Sequence, residues 1–400
     1  MDDLRQSRSS VFASWQAGRT AAALAVTFLI LAACAAQAQN YTEETIYSFR
    51  GSPDGANPYG GVAQDSAGNL YGTTYEGGPH NLGTVFKLDT AGKETVLHSF
   101  AGQRDGAYPM GVTLVLDSAQ NLYGTTSDGG GGYGVIFKMN AKGKETVLRI
   151  LKQWNGATPY AGVIRDANGN VYATAAAGGG ENGGVVFKVT GVGKGKILHS
   201  FIGGKYGRYP EAPIVQDAKG NFYGTTYYGG TYQEGIVFKL NKNGAETLLH
   251  SFTCANGVDG CFPEAGLVLD AAGNIYGTTS QGGVGGSNGG TVFKMDKAGN
   301  ETVLHTFEES DGWSPGFGSL LLDSDGNLYG TTEEGGADNY GVVFKIDSTG
   351  IESVLYSFTG GGDGSTPWAG LIKDSAGNFY GTTAEGGAYG YGVVFKLSPK

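Results

Sequence analysis

Charged residues, cysteines and long apolar stretches are all scarce in this sequence of 400 residues. Lys, Arg, Asp and Glu make up only 16% of it, well below the share of roughly a quarter that is usual in soluble domains. Acidic residues outnumber basic ones by 37 to 27, and a net charge of −10 disfavours nucleic acid and anionic membranes as partners. The one extended apolar run, residues 21–33, is too short to span a bilayer, so we expect no transmembrane helix in the mature chain.

Glycine is abundant, at 73 residues, and is accompanied by 23 Tyr and 19 Phe. A chain this rich in glycine could be disordered, but Val, Leu, Tyr and Phe alternate between the glycine clusters and provide apolar surface to bury. The composition therefore predicts an all-β protein with many tight turns.

The first forty residues differ from the rest. Three arginines precede the apolar run and small residues follow it, as in a secretory signal peptide. Cleavage after Ala36-Gln37-Ala38 would remove residues 1–38 and leave 39–400 as a single exported domain, and we favour this interpretation. The alternative is a lipoprotein signal of residues 1–33, because Leu31-Ala32-Ala33-Cys34 resembles a lipobox whose Cys34 becomes the lipidated first residue. Either signal predicts a protein that is secreted, periplasmic or at the cell surface.

Only two cysteines follow the signal segment, Cys254 and Cys261, with six residues between them. An exported protein meets an oxidising environment, so a local disulfide is expected, with two free thiols as the alternative. Metal binding by these cysteines is not expected because no histidine is close to them in sequence.

One segment recurs along the whole chain, first as Asp65-Ser-Ala-Gly-Asn-Leu-Tyr-Gly-Thr-Thr74. The intervals between its tyrosines are 52, 49, 51, 53, 53 and 51 residues, a period typical of propeller blades. The seven tyrosines are Tyr71, Tyr123, Tyr172, Tyr223, Tyr276, Tyr329 and Tyr380. Each unit contains four strand-like runs joined by Asp/Asn and Gly turns; in the sixth unit they are residues 317–323, 327–332, 342–347 and 352–358.

The two ends of the chain complement each other. The last unit stops after its third strand, near Leu397, and a fourth strand of the missing type stands at the start as residues 43–49. Radial closure removes long exposed edges, so we predict a seven-bladed β-propeller of four antiparallel strands per blade, with the N-terminal strand completing the last blade. The predicted blade units are 59–100, 110–151, 160–201, 211–252, 264–307, 317–358, and 368–397 with 43–49.

The units Asn-Leu-Tyr-Gly-Thr-Thr, Gly-Val-Val-Phe-Lys and Glu-Thr-Val-Leu-His-Ser-Phe resemble the GloVer tandem repeat, named for Gloeobacter and Verrucomicrobia and found in bacterial "choice-of-anchor" proteins. The similarity covers residues 43–397. It implies export and a repetitive β architecture, and it brings no established activity, catalytic residue or cofactor. Since residues up to Lys400 contain no sorting segment of the family's kind, Cys34 is the candidate anchor.

Strand direction divides the loops between two faces, and the face carrying the Gly-Gly loops and the inter-blade Asp-Gly-x-x-Pro loops has most of the variation. Rigid scaffolds usually present function on such loops. Aromatic residues close to the inter-blade prolines are the candidate ligand-binding set because aromatic planes stack on sugars or hold apolar side chains. They are Tyr59, Tyr108, Trp154, Tyr160, Trp313 and Trp368. The alternative for each is packing between blades.

Histidine and aspartate recur at fixed repeat positions, and we assign both mainly structural roles. The histidines of the outer strands, His98, His199, His250 and His305, lie around a ring and cannot converge on one metal, so no metal or cofactor is expected. The aspartates that open hairpins, such as Asp323, are expected to form turns. Those of the inter-blade loops could form a carboxylate ring at the channel mouth but are expected to order their loops. They are Asp54, Asp105, Asp259, Asp311 and Asp363.

No nucleophile beside a base, phosphate loop or metal set interrupts the repeat, which favours a monomeric, non-catalytic binding or scaffold module for a glycan or protein. One alternative is a propeller hydrolase or lyase that cleaves polysaccharide with carboxylates of the inter-blade loops. The other is a purely structural component of the cell surface.

Overall fold

The computed structural model describes residues 41–111, 113–254, 259–283 and 288–400, and the predicted signal segment with Cys34 lies outside these ranges. The described residues form seven four-stranded antiparallel sheets arranged as a ring of blades, which confirms the predicted propeller. From the axis outwards, the strands of blade 1 are Ala63–Gln64, Leu70–Thr74, Thr84–Leu88 and Glu94–Ser99. Those of blade 2 are Val115–Leu116, Leu122–Thr126, Val135–Met139 and Glu145–Ile150. Those of blade 3 are Ile164–Arg165, Val171–Ala175, Val185–Val189 and Gly195–Ser200.

The strands of blades 4 to 7 follow in the same order. They are Val215–Gln216, Phe222–Thr226, Ile236–Leu240 and Glu246–Ser251; Val268–Leu269, Ile275–Thr279, Thr291–Met295 and Glu301–Thr306; Leu321–Leu322, Leu328–Thr332, Val342–Ile346 and Glu352–Ser357; and Ile372–Lys373, Phe379–Thr383, Val393–Pro399 and Tyr41–Ser48. Two short pairs join loops, Gly55–Ala56 with Glu76–Gly77 and Gly260–Cys261 with Gln281–Gly282. Single 3-10 turns lie at Gln153–Asn155 and Gly204–Tyr206.

The inner strands are shorter than the sequence predicts, because the residues before them crowd the propeller axis. One residue per blade, two positions before the inner strand, lies in an axial ring: Gly61, Thr113, Gly162, Pro213, Gly266, Ser319 and Gly370. A β-carbon on Gly61 would lie 2.9 Å from Thr113 Oγ1 in blade 2 and 3.0 Å from the Gly370 carbonyl oxygen in blade 7. The ring therefore requires small side chains, and the ladder begins only beyond it.

The last blade is composite, as predicted. The N-terminal strand Tyr41–Ser48 pairs antiparallel with Val393–Pro399, with Tyr41 opposite Pro399 and Ser48 opposite Val393. Phe49, at the end of this strand, is completely buried, and its ring lies 5.1 Å from that of Phe86 in blade 1. The N-terminal segment thus completes blade 7 and also packs against blade 1.

The glycine of each Tyr-Gly-Thr-Thr strand makes room for an aromatic ring of its own sheet. A β-carbon on Gly330 would lie 2.6 Å from Phe344 Cζ on the adjacent strand. Gly330 and Phe344 are cross-strand partners. The phenylalanine ring covers the glycine backbone and fills the space that a side chain would take.

Replacing this glycine by alanine is expected to destabilise the protein. Gly330→Ala forces the Phe344 ring and Leu320 to move, because the new methyl would also lie 2.9 Å from Leu320 Cδ2. Overpacking of this kind costs about 1–3 kcal/mol. Urea denaturation measures the loss, and Ala173→Gly, the reverse change at the same position of blade 3, should cost less. A Gly330→Ala protein as stable as the parent contradicts this packing.

The hairpins between inner and second strands are ordered by one repeated network, which confirms the turn-forming role of the aspartates. In blade 1, Asp65 Oδ1 accepts the Ala67 and Asn69 backbone N–H groups, and Oδ2 accepts Asn69 Nδ2 at 2.8 Å and the Tyr71 hydroxyl at 3.0 Å. Burial acts to raise the pKa of Asp65, but these hydrogen bonds outweigh it and lower the pKa. In blade 6 the same bonds lower the pKa of Asp323 to about 2.

Candidate functional site at the channel mouth

One end of the propeller axis collects side chains from two parts of the repeat: the residues immediately before or after each inter-blade proline, and the residue that follows the Tyr-Gly-Thr-Thr strand. Short strand pairs hold these loops together, as in blade 1, where Gly55–Ala56 pairs with Glu76–Gly77. We call this surface the mouth. It comprises Tyr59, Tyr75, Tyr108, Tyr160, Glu211, Tyr227, Glu264, Phe317, Glu333 and Trp368, all partly exposed.

An arc of aromatic rings occupies one side of the mouth. Trp368 of blade 7 joins two of these rings, lying 4.2 Å from Phe317 and 4.8 Å from Tyr59. The arc continues from Tyr59 to Tyr75 at 5.5 Å and from Tyr75 to Tyr108 at 5.0 Å. Rings from blades 6, 7, 1 and 2 therefore form one continuous surface, which exists only because the ring of blades closes.

Three glutamates from blades 4, 5 and 6 occupy the other side. The pKa of Glu264 is raised to about 8, mainly by burial and in addition by the negative charges of Glu333 and Glu211. Burial likewise raises the pKa of Glu211 to about 7. It raises the pKa of Glu333 to about 7 against the opposing effect of a hydrogen bond from the Trp368 side chain. Near neutral pH this side of the mouth can therefore offer both hydrogen-bond donors and acceptors.

A cavity of about 280 Å³ opens between the aromatic arc and the axial ring. Tyr59, Phe317 and Trp368 line its upper part, while Thr113, Pro213 and Ser319 line its base. This volume lies at the small end of the range for ligand pockets in proteins. The cavity suits one small ring or the end of a chain.

The six predicted binding residues do not all meet. Tyr59, Tyr108 and Trp368 belong to the arc, and Tyr160 lies near it, since its phenol interacts with that of Tyr75. Trp313 forms a backbone bridge with Glu334 and lies near Gly289, in the loops between blades 5 and 6. Trp154 is 64% exposed beside Arg149 and Gly195 at the outer edge of blades 2 and 3.

The inter-blade aspartates lie beside the outer strands, so a carboxylate ring of these residues at the mouth is wrong. Asp54 accepts a hydrogen bond from the Tyr47 hydroxyl, and Asp363 accepts one from Tyr356. Asp105 accepts the Ala101 N–H. Their expected role in ordering loops is confirmed, because each carboxylate caps backbone or side-chain donors of the outer strand or the loop after it. Cys254 and Cys261, in the corresponding loop after blade 4, are joined by a disulfide.

Sequence reasoning missed Tyr75, Tyr227, Phe317 and the three glutamates. A signal was present: the position after the Tyr-Gly-Thr-Thr strand varies among Tyr, Ser, Ala and Glu while the strand itself hardly changes. The position after the inter-blade proline varies in the same way. Variation at a fixed repeat position indicates where the blades differ in the surface that they expose.

Comparison with known families agrees with this architecture. The model of the Gloeobacter/Verrucomicrobia repeat matches residues 34–217 and again residues 190–395. The chain belongs to this repeat family. No curated protein sequence matches this Gloeobacter/Verrucomicrobia repeat protein. In the described part of the chain, no helix is long and apolar enough to cross a membrane.

Solved structures similar to this repeat protein share its fold at low sequence identity. The extracellular domain of a protein described as a hybrid two-component system from B. thetaiotaomicron superposes with a TM-score of 0.56 at 14% identity. That match covers 88% of this chain but 39% of the other, so this chain spans about two fifths of its length. A protein described as a 6-phosphogluconolactonase from Bacteroides uniformis has a TM-score of 0.50 at 14% identity, covering 76% and 86% of the two chains. These similarities show the propeller fold alone.

Proposed function

We propose that this protein is an exported, non-catalytic binding module that holds a neutral glycan at the mouth of its propeller. The continuous arc from Phe317 through Trp368 and Tyr59 to Tyr108 is the observation that carries the proposal. Aromatic faces of this kind stack on the apolar faces of sugar rings, and their polar edges remain available for hydrogen bonds. Export is supported by the predicted signal segment and by the disulfide between Cys254 and Cys261.

The glutamates opposite the arc define the class of sugar. Carboxyl groups near their pKa accept and donate hydrogen bonds to hydroxyl groups, and none of the residues that form the mouth is a lysine or arginine. A glycan rich in uronic acids would place its carboxylates against Glu211, Glu264 and Glu333 without a balancing cation. A neutral hexose or N-acetylated hexosamine fits the charge of the mouth better than an acidic sugar.

Trp368→Ala is expected to weaken binding of the glycan at least tenfold. The substitution removes the ring that joins Phe317 to Tyr59, and loss of an aromatic hot-spot residue at a binding surface costs about 2 kcal/mol or more, roughly thirtyfold. A glycan array with a parallel peptide array identifies the ligand, and isothermal titration of the parent and Trp368→Ala proteins measures the loss. Trp368→Phe, which keeps a stacking surface, should retain part of the affinity.

Trp154→Ala is the matched control, because Trp154 is an exposed tryptophan outside the mouth. Its removal should leave the affinity unchanged, and Trp313→Ala tests whether the surface reaches the loops between blades 5 and 6. Binding that survives Trp368→Ala but is lost in Trp154→Ala would move the site to the outer edge. Peptide binding without glycan binding would show that the ligand is a protein and not a glycan.

Hydrolysis or elimination of a polysaccharide is the second candidate, favoured by the raised pKa of Glu264 beside Glu333. A carboxylic acid that stays protonated near neutral pH can serve as a general acid, with a second carboxylate as base or nucleophile. Reducing-end or unsaturated-product assays on the glycans that bind would reveal turnover. Loss of that turnover in Glu264→Gln with binding intact would establish an enzyme in place of a binding module.

A further inference from the structure

The interfaces between consecutive blades contain a recurring cluster far from the mouth. At the junction of blades 1 and 2, His98 of one outer strand meets Asp105 of the inter-blade loop and Glu145 of the next outer strand. His98 Nε2 lies 3.5 Å from Asp105 Oδ2 and 3.9 Å from Glu145 Oε2. His305, Asp311 and Glu352 repeat the arrangement between blades 5 and 6, with His305 Nε2 3.2 Å from Asp311 Oδ2.

These side chains approach one another without satisfying one another. His98 Nε2 and Glu145 Oε1 are buried atoms with no hydrogen-bond partner, and so are His305 Nε2 and Glu352 Oε1. The Glu145 side chain is only 10% exposed. Unpaired Oε1 atoms also occur on the outer-strand glutamates of other junctions, at Glu94, Glu246 and Glu301. The feature that distinguishes these two clusters is an unpaired histidine Nε2 beside two carboxylates, and buried polar atoms are nearly always paired in proteins.

A cation held between the three side chains of each cluster would explain why they approach one another without forming hydrogen bonds. In each cluster one ligand atom from each of the three residues lies within 4.8 Å of the other two. Metal ligands about 2.0–2.2 Å from a first-row cation are separated by about 3–4 Å, and they point at the ion instead of at one another. One imidazole with two carboxylates is a donor set for Zn²⁺ and related first-row ions, whereas Ca²⁺ and Mg²⁺ prefer oxygen alone.

We propose that each of these two clusters binds a first-row divalent cation such as Zn²⁺, which ties together the outer strands of adjacent blades and the loop between them. Three protein ligands leave one position for water. Sequence analysis expected no metal because it compared the histidines with one another, and it could not see that each meets two acids of the following loop and blade.

The same chain contains natural controls. At two other junctions a tyrosine replaces the histidine, and the tyrosine hydroxyl donates to the loop aspartate: Tyr47 to Asp54 at 2.8 Å and Tyr356 to Asp363 at 2.9 Å. His98→Tyr and His305→Tyr therefore introduce a side chain that this interface already accepts elsewhere. Both variants should fold, while losing the only nitrogen ligand of their cluster.

The test uses protein purified without a polyhistidine tag, stripped with EDTA and dialysed against Zn²⁺, with bound metal measured by elemental analysis. We expect about two equivalents for the parent, one for either tyrosine variant and none for the double variant. Zn²⁺ should raise the melting temperature of the parent but not of the double variant, and Ca²⁺ and Mg²⁺ should not substitute. Co²⁺ loading should give visible absorption bands that the double variant lacks.

Two results would overturn the proposal: less than one equivalent of Zn²⁺ in the parent, or equal binding by the parent and the double variant. The second result would indicate attachment to exposed carboxylates elsewhere. Should a tyrosine variant fail to fold, Glu145→Gln and Glu352→Gln provide the same comparison, because each removes a charged ligand and keeps the shape of the side chain. Glu181→Gln, at an exposed loop glutamate, is the control for these two.

Discussion

Deletion of residues 41–50 is expected to open the propeller and to lower the free energy of unfolding by roughly 5 kcal/mol or more, comparable with the whole stability of many domains. The deletion removes the outer strand Tyr41–Ser48 and leaves the edge of Val393–Pro399 unpaired. It also removes Phe49, whose burial is complete, and loss of a buried phenylalanine alone costs about 3–5 kcal/mol. Urea denaturation followed by circular dichroism and tryptophan fluorescence measures the effect.

A circular permutant keeps the strand Tyr41–Ser48 but moves the ends of the chain, so it shows whether the deletion acts by removing the strand. Tyr41 pairs opposite Pro399, so a short glycine linker from Lys400 can lead into Tyr41 as a hairpin. New ends between Thr349 and Gly350, in the exposed turn before Glu352–Ser357, make blade 6 the composite blade. This permutant should be nearly as stable as the parent. A deletion variant that melts with the parent would show that closure by the N-terminal strand is wrong.

The protein is expected to be most stable near pH 4–5 and to lose stability as the pH rises to 8. Burial is the largest cause that raises the pKa of Glu211 and Glu333 to about 7 and of Glu264 to about 8. Between about pH 4.5 and these values the folded protein holds protons that the unfolded chain has released. The resulting stabilisation is complete below the unfolded pKa and is lost as the pH rises through the folded pKa.

The groups facing these glutamates determine the size of the effect. Glu264 faces Glu211, Glu333 and the Ser280 side chain, and Glu333 faces Trp368 and Glu334. A tenfold change in proton affinity corresponds to about 1.4 kcal/mol, so the three groups together, discounted for partial exposure, amount to roughly 3 kcal/mol or more. On the acid side, the hairpin aspartates have lowered pKa values, as Asp323 at about 2 shows, and their contribution is lost as the pH falls below about 4.

Melting temperatures between pH 3 and pH 9 test this prediction. Glu264→Gln and Glu333→Gln should make the profile less steep above pH 5, because a neutral amide costs nothing to keep buried as the pH rises. Part of the slope should remain, because burial also raises the pKa values of the outer-strand glutamates Glu94, Glu145, Glu301 and Glu352. Glu181→Gln, at an exposed position, should reproduce the parent profile. Equal slopes above pH 5 in the parent and in Glu264→Gln and Glu333→Gln would contradict the contribution of the mouth glutamates.

The sequence predicts three of the four strands of a blade accurately, but not the inner strand. The second, third and outer strands of blade 6 agree with the sequence to within one residue at each end, because their alternation and turns are local. The inner strand is Leu321–Leu322 instead of 317–323, because crowding at the axis involves all seven blades. Trp154 illustrates the limit for site residues: it lies near an inter-blade proline in sequence, yet its exposed ring is at the outer edge.

The amino-acid sequence by itself determines the number of blades, the strands of each and the way the ends meet, because each unit carries its own turns and apolar alternation and the missing strand of the last unit stands at the start. Only the tertiary structure decides which side chains share a site. Tyr59 and Trp368 stand at opposite ends of the repeat region, and their rings come within 4.8 Å because the ring closes between blades 7 and 1. His98 and Glu145 likewise meet only because adjacent blades pack side by side. Contacts of this kind depend on how whole sheets are placed, which no local pattern encodes.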